Sequence, residues 1–105
     1  MDRKELLAEA IKRWGIESQS FMAIEEMAEL TKALSKIYRE CGQKQIENVI
    51  EEIADVKIML EQMEMIYEPI AEKSDIKKLV AEARESKLYR LAQRLGVKYV
   101  PNLVC

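Results

Sequence analysis

Glu26 and Glu29 lie three residues apart, and so do Glu52 and Asp55. Residues at that spacing are neighbours on a helix surface, with Cβ atoms about 5–6 Å apart. Each pair sits in an acidic hexapeptide, EEMAEL at 25–30 and EEIADV at 51–56, beside apolar residues that belong in a core. Four carboxylates gathered in one place repel one another unless they take up protons or bind a cation. The chain has no histidine. A set of hard oxygen donors without His or Cys suits Mg²⁺ or Mn²⁺ rather than zinc. Mg²⁺ keeps several waters and commonly joins a few carboxylates to substrate phosphates. The chemistry suggested is therefore that of a polyphosphate site. The alternative is a pair of solvated acidic faces, with Lys32 and Lys36 following Glu29 at i+3 and i+7. Clustering or dispersal of the carboxylates separates the two readings.

The elements that must position these residues read as helix nearly throughout, giving an all-α antiparallel bundle of about four helices, completed by dimerisation. Asp2 with Glu5 resembles a capping box opening a first helix, which runs to about Trp14 and ends at Gly15. Ser18 is a candidate N-cap for a second helix continuing to about Cys41, before Gly42. A third spans about Gln45 to Tyr67 and is stopped by Pro69, which lacks an amide donor and clashes with the preceding turn. Ser74 can cap a fourth, ending near Leu95 with Gly96 following. Residues 1–96 read as one domain and 97–105 as an extended tail, packed on a neighbour.

On a helical wheel, Ala23, Ile24, Met27, Leu30, Leu34, Ile37 and Tyr38 share one broad face of the second helix. Ile46, Val49, Ile50, Ile53, Val56, Leu60, Met63 and Tyr67 do the same in the third. Glu26 and Glu52 lie at the edges of those faces. The short link CGQKQ makes the two helices antiparallel neighbours. With an offset of 26, AIEEMAELTKAL matches VIEEIADVKIML at several positions, as two helices related by an approximate twofold would. Ala28 and Ala54 are small enough to allow close approach.

Bulk composition narrows the classes further. At 105 residues, about half hydrophobic, the chain supports one modest core. Its 17 basic and 19 acidic residues are well mixed, which argues against binding a nucleic-acid polymer. No long apolar run suggests a membrane span, and the charged N-terminus lacks the apolar core of a signal peptide. Cys41 and Cys105 make no disulfide framework and fit a reducing cytoplasm. Without histidine there is no Ser–His triad, His-containing zinc site or Glu-x-x-His di-iron motif.

EEMAE (25–29) followed by EEIAD (51–55) resembles the E-E-x-x-E … E-x-x-D signature of the MazG-like, all-α nucleoside triphosphate pyrophosphohydrolases. The similarity extends through WGIESQSFMAI and VKIMLEQM and covers roughly residues 14–67. The resemblance implies a helical bundle assembled as a homodimer or homotetramer. It also implies Mg²⁺-dependent cleavage of a nucleoside triphosphate to monophosphate and pyrophosphate, with Mn²⁺ as the other candidate. Glu26, Glu29, Glu52 and Asp55 would be metal ligands. Glu25 and Glu51 match the leading glutamates, and Glu25 would orient or deprotonate water or support the metal indirectly. Lys36 is a candidate for a phosphate, with a surface salt bridge as the alternative. Arg84, Lys87 and Arg90 form a basic stripe on the fourth helix, a solvated face or a further phosphate contact. Trp14 and Gln19 are candidates for a base pocket, against core and exposed-surface readings respectively. The competing functions are a non-enzymatic helical interaction module and a nucleotide-binding regulator of the same fold.

Overall fold

The computed structural model describes residues 1–70 and 75–101. They form α1 (Arg3–Trp14), α2 (Ile16–Arg39), α3 (Gln43–Tyr67) and α4 (Ile76–Leu95), with no strand among the described residues. The protein is all-α. The chain divides into two compact units, Met1–Ile70 and Ala71–Cys105. In the first, α1, α2 and α3 each pack on the other two.

Local chemistry accounts for the helix ends. The Asp2 carboxylate accepts from the Glu5 amide at 2.8 Å and the Glu5 carboxylate accepts from the Asp2 amide at 3.2 Å, a complete capping box. Gly15 ends α1 at φ 91°, a conformation that favours glycine, and serves at once as the N-cap of α2. Ser18 is therefore not the cap; it lies inside the first turn of α2. α2 stops at Arg39, short of Cys41, and α3 begins at Gln43 from an extended Gly42, two residues before the expected Gln45. α3 ends at Tyr67, just ahead of Pro69, as expected. Ser74 lies outside the described residues, and the N-cap of α4 is Asp75, whose carboxylate accepts from the Lys78 amide at 3.2 Å. Gly96, at φ 67°, closes α4.

In the second unit, Val97–Val100 belong to no helix, and this stretch folds back on α4. The Tyr99 hydroxyl donates to the Glu85 carboxylate at 2.7 Å, and its ring meets that of Tyr89 edge-on with centroids 5.1 Å apart. The end of the tail, including Cys105, lies outside the described residues.

The α2–α3 hairpin carries the architecture. The side chains of α2 withdrawn from solvent are Gln19, Ala23, Glu26, Leu30, Ala33 and Ile37, with Ser20 beside the first. In α3 they are Gln45, Val49, Glu52, Val56 and Met59, then a broader set around Gln62, Met63 and Ile66. Steps of four and three residues alternate along both helices, which is the spacing of a coiled-coil seam. An ion pair of 3.0 Å between Arg3 and Glu61 ties α1 to the far end of α3.

This seam is not the centre of the apolar faces expected from the wheel. Ile24, Met27, Leu34 and Tyr38 are exposed, as are Ile46, Ile50, Ile53, Leu60 and Tyr67, while Ala33, Met59 and Ile66 are buried. The stripe on each helix is wide enough for two seams, and the hairpin uses one edge of it. Close approach is set by Ala23 and Ala33 on the seam, not by Ala28 and Ala54, which are exposed.

Candidate metal centre

The hexapeptides become intelligible once the seam is drawn. In each, the second glutamate, Glu26 or Glu52, occupies a seam position where the heptad calls for an apolar residue. The residues just before seam positions, Glu25 and Glu29 on α2 and Glu51 and Asp55 on α3, turn to one side of the hairpin. They do so together because each helix rotates about 100° per residue and the two run antiparallel. Glu29 and Asp55 stand nearer the seam than Glu25 and Glu51, each lying between two seam residues of its own helix.

Antiparallel pairing brings the two motifs level. One carboxylate oxygen each from Glu26, Glu52 and Asp55 lies within 4.8 Å of the others, with Glu26 and Glu52 half-buried and Asp55 exposed. Burial is the first cause that pushes the Glu26 carboxyl above its ordinary range; the charges of Asp55 and Glu52, a hydrogen bond with Asp55 and the charge of Glu29 add to it. Glu52 is raised by burial, then by Asp55, Glu29 and Glu51. Glu29 is not one of the three convergent residues, yet it stands close enough to act on both seam glutamates.

The Glu52 Oε2 atom is shielded from solvent and has no hydrogen-bond partner. A buried carboxylate oxygen left so is costly unless it is protonated or meets a cation. The donor set is all oxygen and three of its carboxylates converge. These residues fit a hard divalent cation with water in its remaining positions. Among the described residues this is the one group of carboxylates and thiols close enough to hold a metal.

Beside the carboxylates, toward the α2–α3 turn, lies an open groove of about 530 Å³ lined by Lys36, Glu40, Lys44, Gln45, Glu47, Asn48 and Glu51. Lys36 shares the groove with Glu51 and lies seven residues, or about 10 Å, along α2 from Glu29. Helical side chains tilt toward the N-terminus, so Lys36 leans toward the carboxylates and Lys44 leans away. Lys44 did not stand out in the sequence; its signal is its place on the same side of α3 as Glu51 and Asp55.

The remaining candidates are placed differently. Trp14 is exposed at the end of α1, not core. Gln19 is buried on the α2 seam, not at the surface, and Gln62 is buried on α3 with an Oε1 that has no partner. Gln19 lies seven residues, or about 10 Å, along α2 from Glu26 on the side away from the turn. Gln62 also went unnoticed in the sequence, because the wheel placed Met63 on the face instead. On α4, Lys87, Arg90 and Arg94 line a shallow groove of about 220 Å³ with Leu91, and Arg84 is exposed.

No helix among the described residues is long and apolar enough to cross a membrane. Comparison with protein-family models, curated proteins and solved structures gives no match for the chain, so the resemblance to the MazG-like enzymes rests on its residues alone.

Proposed function

We propose that this protein is a metal-dependent nucleoside triphosphate pyrophosphohydrolase, converting an NTP or dNTP and water into the monophosphate and pyrophosphate. It would act in the cytoplasm on the nucleotide pool, as a homodimer or homotetramer. The observation that carries the reading is the buried, unpartnered Glu52 Oε2 within a convergent group of carboxylates. A solvated acidic face has no reason to place two glutamates in a helical seam.

Glu26, Glu52 and Asp55 would hold Mg²⁺ or Mn²⁺, with Glu29 completing the set. When bound, such an ion neutralises triphosphate charge and lowers the pKa of a coordinated water. The protein's own part is positional. The hairpin holds carboxylate oxygens of Glu26, Glu52 and Asp55 within 4.8 Å of one another, so these groups are gathered before a substrate arrives. Glu25 lies on the carboxylate side and points outward, where it can orient a water or receive its proton. Lys36 leans along the groove toward the same place and can meet the charge of the departing pyrophosphate.

The test is pyrophosphate release from a panel of NTPs and dNTPs, with Mg²⁺ or EDTA, on wild type and Glu52→Gln. Release should require the metal and fall by at least about 100-fold in the variant, since even residues that only support a metal ligand are worth 10–100-fold. The second reading, a non-enzymatic helical module, is favoured by the exposed apolar residues of the hairpin. It predicts no turnover on any nucleotide and no change in melting temperature with metal.

A further inference from the structure

Charges that look well mixed along the whole chain separate between the two units. Residues 1–70 carry 9 basic and 15 acidic side chains, whereas residues 71–105 carry 8 and 4. The net side-chain charge is therefore −6 in the first unit and +4 in the second. The excess lies on α4. Placed at 100° per residue, Lys77, Arg84, Lys87, Arg90 and Arg94 fall within a sector of about 140°. All five are exposed, and the sector holds no carboxylate. Glu82 and Glu85 lie on the other side of the helix, where the Glu85 carboxylate accepts from the Tyr99 hydroxyl at 2.7 Å.

Such a row is unfavourable in isolation. Arg84, Lys87, Arg90 and Arg94 follow one another at steps of three, three and four residues, so each is the helical neighbour of the next cation. Like charges at those spacings weaken a helix. Neither Glu82 nor Glu85 stands three or four positions from any of the four. None of the five cations forms an ion pair among the described residues. A solvated face ordinarily intersperses both signs, as Glu9 and Arg13 do on α1 with an ion pair of 3.3 Å.

We propose that this face of α4 docks an acidic amphipathic helix of a partner protein. The proposal goes beyond the enzymatic reading and depends on none of it. Charge complementarity calls for an anion, and the make-up of the face selects which. Glutamates at the same helical steps stand about 5–6 Å apart, as these cations do, so the two rows can pair one to one. Arginine forks suit carboxylates. Val80, Leu91 and Leu95 are exposed within the same sector as the cations. Lys87, Arg90, Leu91 and Arg94 line a shallow groove of about 220 Å³, a seat for one apolar side chain flanked by carboxylates. A nucleic-acid backbone would neutralise the cations but set these apolar groups against phosphate. A helix that lies in a membrane interface keeps its cations and its apolar residues on opposite faces, whereas α4 puts them on one. A partner helix with apolar anchors and carboxylates beside them satisfies both.

Fluorescence anisotropy with the full chain tests the proposal. EDTA is present, so that metal at the carboxylate group cannot capture the probe. The probe is a labelled synthetic helical peptide with glutamates at the steps of the α4 row and leucines beside them. It should bind saturably, and more weakly as salt is added. Joint reversal by Lys87→Glu and Arg90→Glu should weaken binding at least about tenfold, because it sets like charges together. Lys78→Glu, the same kind of charge change on the other side of α4, should leave binding within about twofold. A peptide with glutamine for glutamate, or alanine for leucine, should bind at least about tenfold less tightly than the probe. If the reversed variant fails to fold by circular dichroism, these two peptides decide. No binding of the acidic probe, undiminished binding by the reversed variant, or equal binding of the alanine peptide overturns the proposal. Tighter binding of oligothymidylate, or of vesicles containing phosphatidylserine, overturns it in favour of a nucleic acid or a membrane surface.

Discussion

Glu52 concentrates the chemical argument in one side chain. Its carboxylate takes a seam position, has Glu26, Glu29, Glu51 and Asp55 as acidic neighbours, and has one oxygen shielded from both water and donors. Without metal that is a destabilising arrangement, and the sign of its pH dependence follows. A carboxyl whose pKa is higher in the fold than in the unfolded chain binds its proton more tightly when folded. Its favourable effect is present at low pH and fades as pH rises from the ordinary value of 4.5 through the raised one. Glu26 and Glu52 both act in this direction. The metal-free melting temperature should therefore carry a component that falls as pH is raised from about 4.5 toward neutrality, and Glu52→Gln should flatten it. The same substitution should raise the metal-free melting temperature at pH 7, because it removes a charge from a repulsive group. A thermal-melt series in EDTA at stepped pH checks both. A variant less stable than wild type at every pH would show that Glu52 has a favourable partner in the fold.

At the scale of the element, small residues decide whether the carboxylates meet. Ala23 and Ala33 flank Glu26 along the α2 seam and are 3% exposed each, so α3 passes close to α2 on both sides of the motif. Enlarging either forces the helices apart or strains the chain, at a cost of about 1–3 kcal/mol. Ala33→Leu should lower stability by that amount in urea unfolding. It should also weaken the metal-induced shift in melting temperature, since the ligands come from both helices. If Ala33→Leu left both quantities unchanged, the hairpin would not be as tight as its burial indicates. Gln19 and Gln62 show the opposite use of the seam. A polar residue on a seam lowers stability and can specify register in coiled coils.

For the whole molecule, the metal and the fold should be linked. A ligand that binds only the folded state stabilises it by about 2.7 kcal/mol at one hundred times its dissociation constant. Titrating Mg²⁺ into EDTA-stripped protein should raise the melting temperature of wild type and not of Glu52→Gln. Because ligands must shed protons to bind metal, the shift should grow from pH 5 to pH 8. The two sides of the hairpin differ in character, with carboxylates and Lys36 on one side and exposed apolar side chains such as Ile24, Ile50 and Tyr38 on the other. The basic groove of Lys87, Arg90, Leu91 and Arg94 belongs to the second unit and stands outside this scheme.

Local rules written into the chain were enough to determine helicity, the Asp2 capping box, the stops at Gly15, Pro69 and Gly96, and the antiparallel hairpin. Each depends on a backbone preference or a hydrogen bond between residues a few positions apart. The spacing of Glu26, Glu29, Glu52 and Asp55 was equally legible, and so was the all-oxygen donor set. Only the tertiary structure decided which edge of each apolar stripe is buried. A wheel averages over a broad stripe, whereas packing selects the one row that a neighbouring helix can reach. That choice put Glu26 and Glu52 inside the seam instead of at its edge, exposed Ile24, Ile50 and Tyr38, buried Gln19 and left Trp14 in solvent. It also brought Glu26, Glu52 and Asp55 within 4.8 Å of one another, because the distance between two helices is set by the small side chains between them and not by the spacing along either one.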